Sequence, residues 1–296
     1  MWTRRGVIAG AAVGPLVGSL SFAGLLSFAA RAGDNPAGLI QAIEARAGGR
    51  LGVAALDTQT GRRIAWRDGE RFPMCSTFKL LLVTRVLAKA DKGQERLDRW
   101  VKYGKDDLLD YAPVAREHLA QGGMTVKDLA EAAIVWSDNT CANLLLAADG
   151  GPAGVTAQAR ALGDPVTRLD RNEPTLNTAI PGDPRDTTAP AAMLDDMDRV
   201  LLGDALSESS REMLTGWMIA CRTAPRRIGA GLPSGWKRGH KTGSGANGST
   251  NDIAICWPPG RKPILLTVYF TGSSAGDDER EAAIADVARI VSETFV

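Results

Sequence analysis

A serine and a lysine lie three residues apart in Ser76-Thr-Phe-Lys79, at the start of the apolar segment Phe78–Lys89. That segment predicts a buried helix, and the spacing brings both side chains to one face of it. A lysine held there can accept the proton of a serine nucleophile, and a helix start favours a developing anion. The same spacing recurs at Ser234–Lys237, and alone it far more often marks a capping serine with a lysine that extends along the surface to solvent.

Three further motifs follow along the chain. Ser137-Asp138-Asn139 precedes a helical pattern, Arg171-Asn-Glu173-Pro-Thr-Leu-Asn177 lies in an aperiodic stretch over 168–186, and Lys241-Thr242-Gly243 ends a predicted strand. Each motif alone is common, but chance would rarely produce all of them in this order. A long irregular loop in a compact domain is usually functional. A serine triad is disfavoured, because no G-x-S-x-G is present and neither His118 nor His240 lies in a motif.

Strand patterns lie at both ends of the chain, and helical patterns fill its middle. Strands are predicted over 51–57, 62–67, 236–241, 251–257 and 264–270. Helices, several with Thr or Ser at the N-cap, are predicted over 37–47, 78–89, two parts of 125–147, 187–202, 207–220 and 277–291. We therefore predict an α/β (α+β) fold with an antiparallel five-stranded sheet built from both chain ends and flanked by helices, plus an all-helical lobe. The sheet lobe would span about 33–75 and 221–296, and the helical lobe about 76–220.

The first 32 residues differ from the rest in charge and composition. Arg4 and Arg5 precede an uncharged, largely apolar run that ends in the small residues Ala30 and Ala32. This pattern is typical of a secretory signal peptide cut near Ala32, and the arginine pair is typical of twin-arginine export. A retained membrane anchor is the alternative, since the length would suffice. We expect cleavage, a single domain over 33–296, a periplasmic location and no stable membrane association of the mature chain.

Composition excludes several classes of protein. The 296 residues carry 35 Lys+Arg against 34 Asp+Glu, a net charge of +1, whereas a nucleic-acid surface normally shows a strong basic excess. The four cysteines, Cys75, Cys141, Cys221 and Cys256, lie far apart, and H-E-x-x-H is absent, which disfavours a zinc site. Gly243–Gly248 matches G-x-G-x-x-G, but a strand follows it where a dinucleotide site needs a helix. We expect a monomer with no metal and no cofactor.

The motif set resembles the class A (serine) β-lactamases, whose signature combines S-x-x-K, S-D-N, a loop glutamate and K-T-G. The resemblance covers essentially the whole chain after residue 32, and Phe72–Ser76, Tyr111–Val114 and Thr250–Asp252 support it. It implies hydrolysis of a small-molecule β-lactam such as a penicillin or cephalosporin, with antibiotic resistance as the consequence. The catalytic residues it implies are Ser76, Lys79, Ser137, Glu173 and Lys241.

The resemblance also implies a role for each residue. Ser76 would form the acyl-enzyme, with an oxyanion hole made by the backbone N–H groups of Ser76 and Ser244. Glu173 would hold the hydrolytic water, and whether Lys79 or Glu173 accepts the serine proton stays open. Ser137 would pass a proton to the leaving nitrogen, while Lys241 would help to bind the substrate carboxylate. The implied substrate-binding residues are Tyr111, Asn139, Asn177, Arg227, Thr242, Gly243 and Ser244.

Three residues would support the site without touching substrate. They are Asn143, Arg171 and Asp186, and the last two would form an ion pair. Two of the binding residues have plainer alternatives from sequence alone: Arg227 could be an exposed arginine in a basic loop, and Tyr111 an ordinary surface tyrosine.

The sequence departs from the family pattern at several positions. His240 stands where an aspartate is usual, so we expect a changed local hydrogen bond and some pH sensitivity. The disulfide that some relatives form at Cys75 is excluded, because its partner position holds Gly245. A second family disulfide is excluded as well, because its two positions hold Val83 and Ala130.

Two other functions share parts of this signature. A D-alanyl-D-alanine peptidase (a penicillin-binding protein) also acylates an S-x-x-K serine, but it lacks a water-activating glutamate. Glu173 therefore favours the β-lactamase. A catalytically inactive β-lactam sensor is disfavoured because the full set of reactive residues is present.

Overall fold

The computed structural model of the chain describes residues 35–296, and within them both chain ends contribute to one sheet. Its strands are β1 (Arg50–Asp57), β2 (Arg63–Trp66), β7 (Lys237–Ser244), β8 (Thr250–Trp257) and β9 (Ile264–Thr271). They are all antiparallel in the order β2-β1-β9-β8-β7, so β7 forms an edge. The predicted five-stranded sheet is confirmed.

Helices cover both faces of this sheet and fill the middle of the chain. They are α1 (Pro36–Ala47), α2 (Lys79–Asp91), α3 (Pro113–Glu117), α4 (Val126–Val135), α5 (Asn139–Ala148), α6 (Pro152–Ala161), α7 (Pro190–Leu201), α8 (Glu208–Ile219), α9 (Ile228–Gly231) and α10 (Asp277–Phe295). Short strands β3 (Phe72–Pro73), β4 (Trp100–Lys102), β5 (Gly123–Thr125) and β6 (Thr187–Thr188) pair outside the main sheet, β3 with β6 and β4 with β5.

Each face of the sheet has its own hydrophobic core. One face packs against α1 and α10, with Val53, Val268 and Ile284 fully buried. The other face packs against the helical middle of the chain, where α2 is central. Leu80 to Val83 are all buried, which explains why this part of the helix is apolar on all sides. The start of α2 is thereby held rigidly between sheet and helices.

Several predicted helix starts are confirmed by their caps. The side chains of Thr125, Asp138 and Ser207 each accept a hydrogen bond from a backbone N–H in the first turn of α4, α5 and α8. The threonine cap predicted for the helix over 187–202 is wrong, because Thr187 and Thr188 pair as β6 with β3 and α7 begins at Pro190. A proline at the first helical position is favourable without a side-chain cap.

No helix between residues 35 and 296 is long and apolar enough to cross a membrane. The predicted signal segment, 1–32, lies outside the part of the chain that the structure describes, and it stays a prediction.

Candidate active site

A tight turn places Ser76 at the entrance to α2. Residues Cys75–Phe78 form a 3₁₀ turn, and Cys75 adopts a left-handed φ of +46°. Asn251 of β8 fixes the preceding segment, since its Nδ2 donates to the carbonyls of Pro73 at 2.8 Å and Met74 at 3.0 Å. The serine Oγ then lies 2.9 Å from Nζ of Lys79 and 3.1 Å from a carboxylate oxygen of Glu173.

Lys79 is completely buried at the centre of this cluster. Its Nζ lies 3.0 Å from Oε1 of Glu173, and it donates to the carbonyl oxygen of Ser137 at 2.8 Å and to Oδ1 of Asn139 at 2.6 Å. Burial lowers the pKa of Lys79, against the opposing effect of the Glu173 carboxylate. A lowered pKa brings the amine closer to the range in which it can exchange a proton near neutrality.

Ser137 connects two lysines across the cleft. Its Oγ accepts from Nζ of Lys241 at 2.9 Å and lies 3.4 Å from Nζ of Lys79. Ser137 has a left-handed φ of +58°, and the following Asp138 holds this turn by accepting from the backbone N–H groups of Val114, Ala115 and Cys141. Lys241 is fully buried, and burial first, with the nearby charge of Lys79 second, lowers its pKa to about 7.

The loop over 168–186 positions Glu173 beside Ser76 and Lys79. The backbone N–H and C=O of Glu173 are both bound by the side-chain amide of Asn143, at 3.0 and 2.8 Å. Its second carboxylate oxygen accepts from Nδ2 of Asn177 at 2.5 Å. Arg171 and Asp186 close the base of the loop through a 2.6 Å ion pair, and Asp186 also accepts the backbone N–H of Arg171 at 2.9 Å. Asn143 therefore fixes the backbone of Glu173, and Asn177 fixes its carboxylate.

Strand β7 forms the opposite wall, and a glycine allows it to come close. A Cβ at Gly243 would lie 2.7 Å from the carbonyl oxygen of Met74 and 3.2 Å from the amide nitrogen of Ser76. Glycine is therefore required for the strand to pass beside the serine. Between the walls lies a cavity of about 330 Å³, lined by Ser76, Tyr111, Ser137, Asn139, Asn177, Thr223, Arg227, Thr242, Gly243 and Ser244.

Comparison with known proteins identifies this arrangement. A model of the "Beta-lactamase enzyme family" (Beta-lactamase2) matches residues 35–295. The chain is 46% identical over 256 residues to β-lactamase CTX-M-97 of Escherichia coli, with 86% of this chain and 88% of that relative covered. It is 47% identical over 249 residues to β-lactamase AST-1 of Nocardia asteroides, with 84% and 80% covered. The chain belongs to the β-lactamase family.

Solved structures place this β-lactamase among those of class A. It is 60% identical to the "Ancestral (GNCA) Beta-lactamase class A", with a TM-score of 0.85 and coverage of 86% of this chain and 98% of that one. It is 53% identical to the "Putative Class A Beta-Lactamase PenP from Rhodopseudomonas palustris", with a TM-score of 0.85 and coverage of 87% and 98%. The class A resemblance drawn from the motifs is confirmed.

The structure brings every site residue predicted from the β-lactamase motifs to this cavity or to its support. The alternative of an exposed Arg227 is wrong, because the side chain is buried and its Nη2 donates to Oγ of Ser244 at 2.8 Å. Its Nη1 also donates to the carbonyl oxygen of Gly243 at 3.0 Å. Tyr111 is half exposed at the cavity mouth, and its hydroxyl donates to the carbonyl oxygen of Trp136 at 3.0 Å.

Sequence reasoning missed two residues that complete the site. Thr223 lines the cavity, and its Oγ1 lies 2.5 Å from Oγ1 of Thr242. Glu281 of α10 holds Arg227, with Oε1 at 3.1 Å from its Nε. Neither residue lies in a motif, and both reach the site only through long-range packing, so no local signal could have identified them.

The structure shows what surrounds the residues that depart from the class A pattern. At His240, where a hydrogen bond different from that of the family is expected, Nδ1 lies 3.1 Å from Oδ2 of Asp252, and the difference from the family stays a prediction. Among residues 35–296 all four cysteines are free, so no disulfide replaces the two excluded ones. Cys75 lies close to Gly245, where an added Cβ would come within 2.7 Å of its Sγ.

Proposed function

We propose that this β-lactamase hydrolyses the β-lactam ring of penicillins and cephalosporins through an acyl-enzyme on Ser76, and so confers antibiotic resistance. The observation that carries the proposal is that Oγ of Ser76 contacts both Lys79, at 2.9 Å, and Glu173, at 3.1 Å, beside the cavity. A serine with a base on each side can lose its proton on attack and can later be released by water.

Acylation begins with attack of Oγ of Ser76 on the lactam carbonyl carbon. The serine proton moves to Lys79 or to Glu173, both of which are within hydrogen-bond distance. The carbonyl oxygen develops negative charge and accepts from the backbone N–H groups of Ser76 and Ser244, each donor contributing on the order of 10²–10³ in rate. The C–N bond of the ring then breaks to leave an ester on Ser76.

The leaving nitrogen takes its proton from Ser137. The Oγ of Ser137 is reached by Nζ of Lys79 at 3.4 Å and by Nζ of Lys241 at 2.9 Å. A proton can therefore pass from Lys79 through the Ser137 hydroxyl to the nitrogen without crossing bulk water.

Deacylation depends on Glu173 and Asn177, which would together bind the hydrolytic water. Glu173 takes a proton from this water as the oxygen attacks the ester carbonyl, and Ser76 regains its proton as the C–O bond breaks. A peptidase lacks this second base, which is why the position of the Glu173 carboxylate beside Ser76 favours the β-lactamase.

Substrate is held mainly through charge on β7. Lys241, Thr242 and Ser244 would bind the substrate carboxylate, with Arg227 adding positive charge behind Ser244. On the other wall Asn139 would bind the amide side chain, and Tyr111 would stack on the substrate.

Turnover of a chromogenic cephalosporin by purified residues 33–296 tests the proposal. We expect many turnovers per enzyme, whereas one stoichiometric burst would identify a peptidase or a sensor. Glu173→Ala should accumulate an acyl-enzyme that intact-mass spectrometry detects, and Glu208→Ala, on the surface of α8, should behave as wild type. Absence of the acyl adduct in Glu173→Ala would remove Glu173 from deacylation.

We also propose that the chain is exported to the periplasm by the twin-arginine route and acts there as a monomeric single domain over 33–296. The support is the Arg4-Arg5 pair before an apolar run with small residues near Ala32. Replacing Arg4-Arg5 by Lys-Lys should abolish periplasmic β-lactamase activity, and unchanged export would indicate the general secretory pathway. Size-exclusion chromatography with light scattering should give the monomer mass.

A further inference from the structure

A second cavity of about 500 Å³ lies on the outer side of edge strand β7. It is bounded by the end of α8, by the loop that follows and by the first half of β7, and it shares no lining residue with the substrate cavity. The site residues proposed above do not use it. Its volume falls in the range of small-molecule sites.

Positively charged side chains that lack an ion-pair partner within residues 35–296 surround this cavity. Arg222, Lys237 and Arg238 all line it, no aspartate or glutamate does, and none of the three makes an ion pair within residues 35–296. Neighbouring arginines are different, since both Arg226 and Arg227 are paired with Glu281. Like charges at one concavity repel one another and raise the local concentration of anions.

His240 gives the same cavity a buried polar group in need of a partner. The residue is 5% exposed, and its Nε2 is buried with no hydrogen-bond partner within residues 35–296. Its Nδ1 lies 3.1 Å from a carboxylate oxygen of Asp252, so only Nε2 lacks a partner. Buried polar atoms are nearly always hydrogen-bonded in folded proteins, so an unpartnered Nε2 at a cavity wall points to a ligand.

The remaining wall is apolar, which restricts the kind of anion. Trp236, Pro225 and Ile219 line the cavity together with the cations. An inorganic ion would leave most of the volume and all of this apolar surface unfilled. A bound cation is disfavoured by the three positive side chains.

We propose that this cavity binds a small organic anion that joins a carboxylate or sulfonate to an aromatic or other apolar body. Arg222 and Arg238 recognise the acid group, His240 lines the cavity beside them, and Trp236 contacts the apolar body. Charge-assisted hydrogen bonds of this kind supply most of the specificity for an acid group.

Histidine NMR with 1-naphthalenesulfonate as the probe tests the proposal directly. The chain has only two histidines, and the exposed His118 serves as an internal reference. We expect a saturable shift of the His240 ring signals with His118 unchanged, and steady-state kinetics that exclude competition with a chromogenic cephalosporin. No shift at His240, or competitive inhibition, would overturn the proposal.

Charge variants separate an anion site from a merely apolar one. The pair Arg222→Gln and Arg238→Gln should raise the Kd of the probe by roughly 10-fold or more, since a hydrogen bond to a charged group contributes about 1.5–3 kcal/mol. The exposed pair Arg96→Gln and Arg289→Gln removes the same charge elsewhere and should leave the Kd unchanged. Equal weakening by both pairs, or equally tight binding of the neutral 1-naphthalenemethanol, would contradict a built anion site.

Discussion

At the scale of single residues, two fully buried lysines share one small polar cluster. Lys79 and Lys241 both reach Oγ of Ser137, but only Lys79 contacts a carboxylate, that of Glu173. Burial first, and the nearby charge of Lys79 second, lower the pKa of Lys241 to about 7. The charge of Lys241 therefore changes near neutral pH.

The pH dependence of substrate capture should therefore depend on Lys241. Its pKa of about 7 leaves it charged below neutrality and neutral above, so kcat/KM for a carboxylate-bearing substrate should fall as pH rises through about 7. Lys241→Arg keeps the charge at every accessible pH and should abolish this falling limb. Steady-state kinetics between about pH 6 and 9 measure both profiles, and a wild-type profile that stays flat would refute the assignment.

Asp196 of α7 is a buried carboxyl group that lies beside the carboxylate of Asp164. Burial first, and the charge of Asp164 second, raise its pKa from the ordinary 3.8 to about 9. The unfolded chain releases this proton near pH 4 and the folded chain holds it to about pH 9. Asp196 therefore makes the free energy of unfolding fall as pH rises between those values, by up to about 1.4 kcal/mol per pH unit.

Asp196→Asn should remove this dependence, because an amide stays neutral in both states. The stability of the variant relative to wild type should rise as pH increases from about 6 to 8, measured by denaturant unfolding at each pH. Asp195→Asn is the matched control, because Asp195 is half exposed and pairs with Arg63 at the surface. A stability difference independent of pH would show that Asp196 is ionised in the folded protein.

At the scale of elements, the loop over 168–186 has little regular structure and depends on side-chain contacts. Asp186 accepts hydrogen bonds from Nε and N–H of Arg171 and from N–H of Asp170, while Asn143 binds both backbone groups of Glu173. Buried carboxylate and amide groups thus replace the hydrogen bonds that a helix or strand would provide.

Asp186→Asn should therefore destabilise the protein and prolong the acyl-enzyme. Asparagine tolerates the left-handed φ of +58°, so the effect reports the lost charge, about 3–5 kcal/mol for breaking a buried ion pair. Thermal unfolding and single-turnover deacylation measure the two effects. Asp183→Asn, which breaks the pair with the half-exposed Arg185 in the same loop, should change neither one substantially. Equal effects of the two variants would contradict this role.

At the scale of the whole molecule, the described chain holds together without covalent crosslinks. Cys75, Cys141 and Cys256 are buried and burial raises the pKa of each thiol, whereas Cys221 is partly exposed. Reactivity follows thiolate character and access, so the four thiols should differ sharply.

Alkylation under native conditions should label Cys221 first, and all four cysteines should react only in denaturant. Intact-mass spectrometry counts the labels, and Cys221→Ser should suppress the fast phase. A reductant should leave Tm unchanged, because no disulfide is present to reduce. A reductant-dependent Tm, or fewer than four labels in denaturant, would contradict the free-thiol state.

Much of the architecture follows from local sequence. The apolar runs of β1 and β9, the apolar run of α2 and the caps Thr125, Asp138 and Ser207 predict their elements because each signal acts within a few residues. The start of α7 was mispredicted because Thr187 pairs with a strand more than 100 residues earlier. Pairing at that distance has no local signature.

The sequence by itself determined the family of this β-lactamase and predicted its reactive residues, because Ser76, Lys79, Glu173 and Lys241 lie in motifs whose order and spacing can be read along the chain. Tertiary structure alone decided how they act together. It set the burial that lowers the pKa of Lys241, placed Thr223 and Glu281 in the site, and left the cations beside β7 without partners. Burial and charge pairing arise between segments far apart in the chain, so they exist only once the chain is folded.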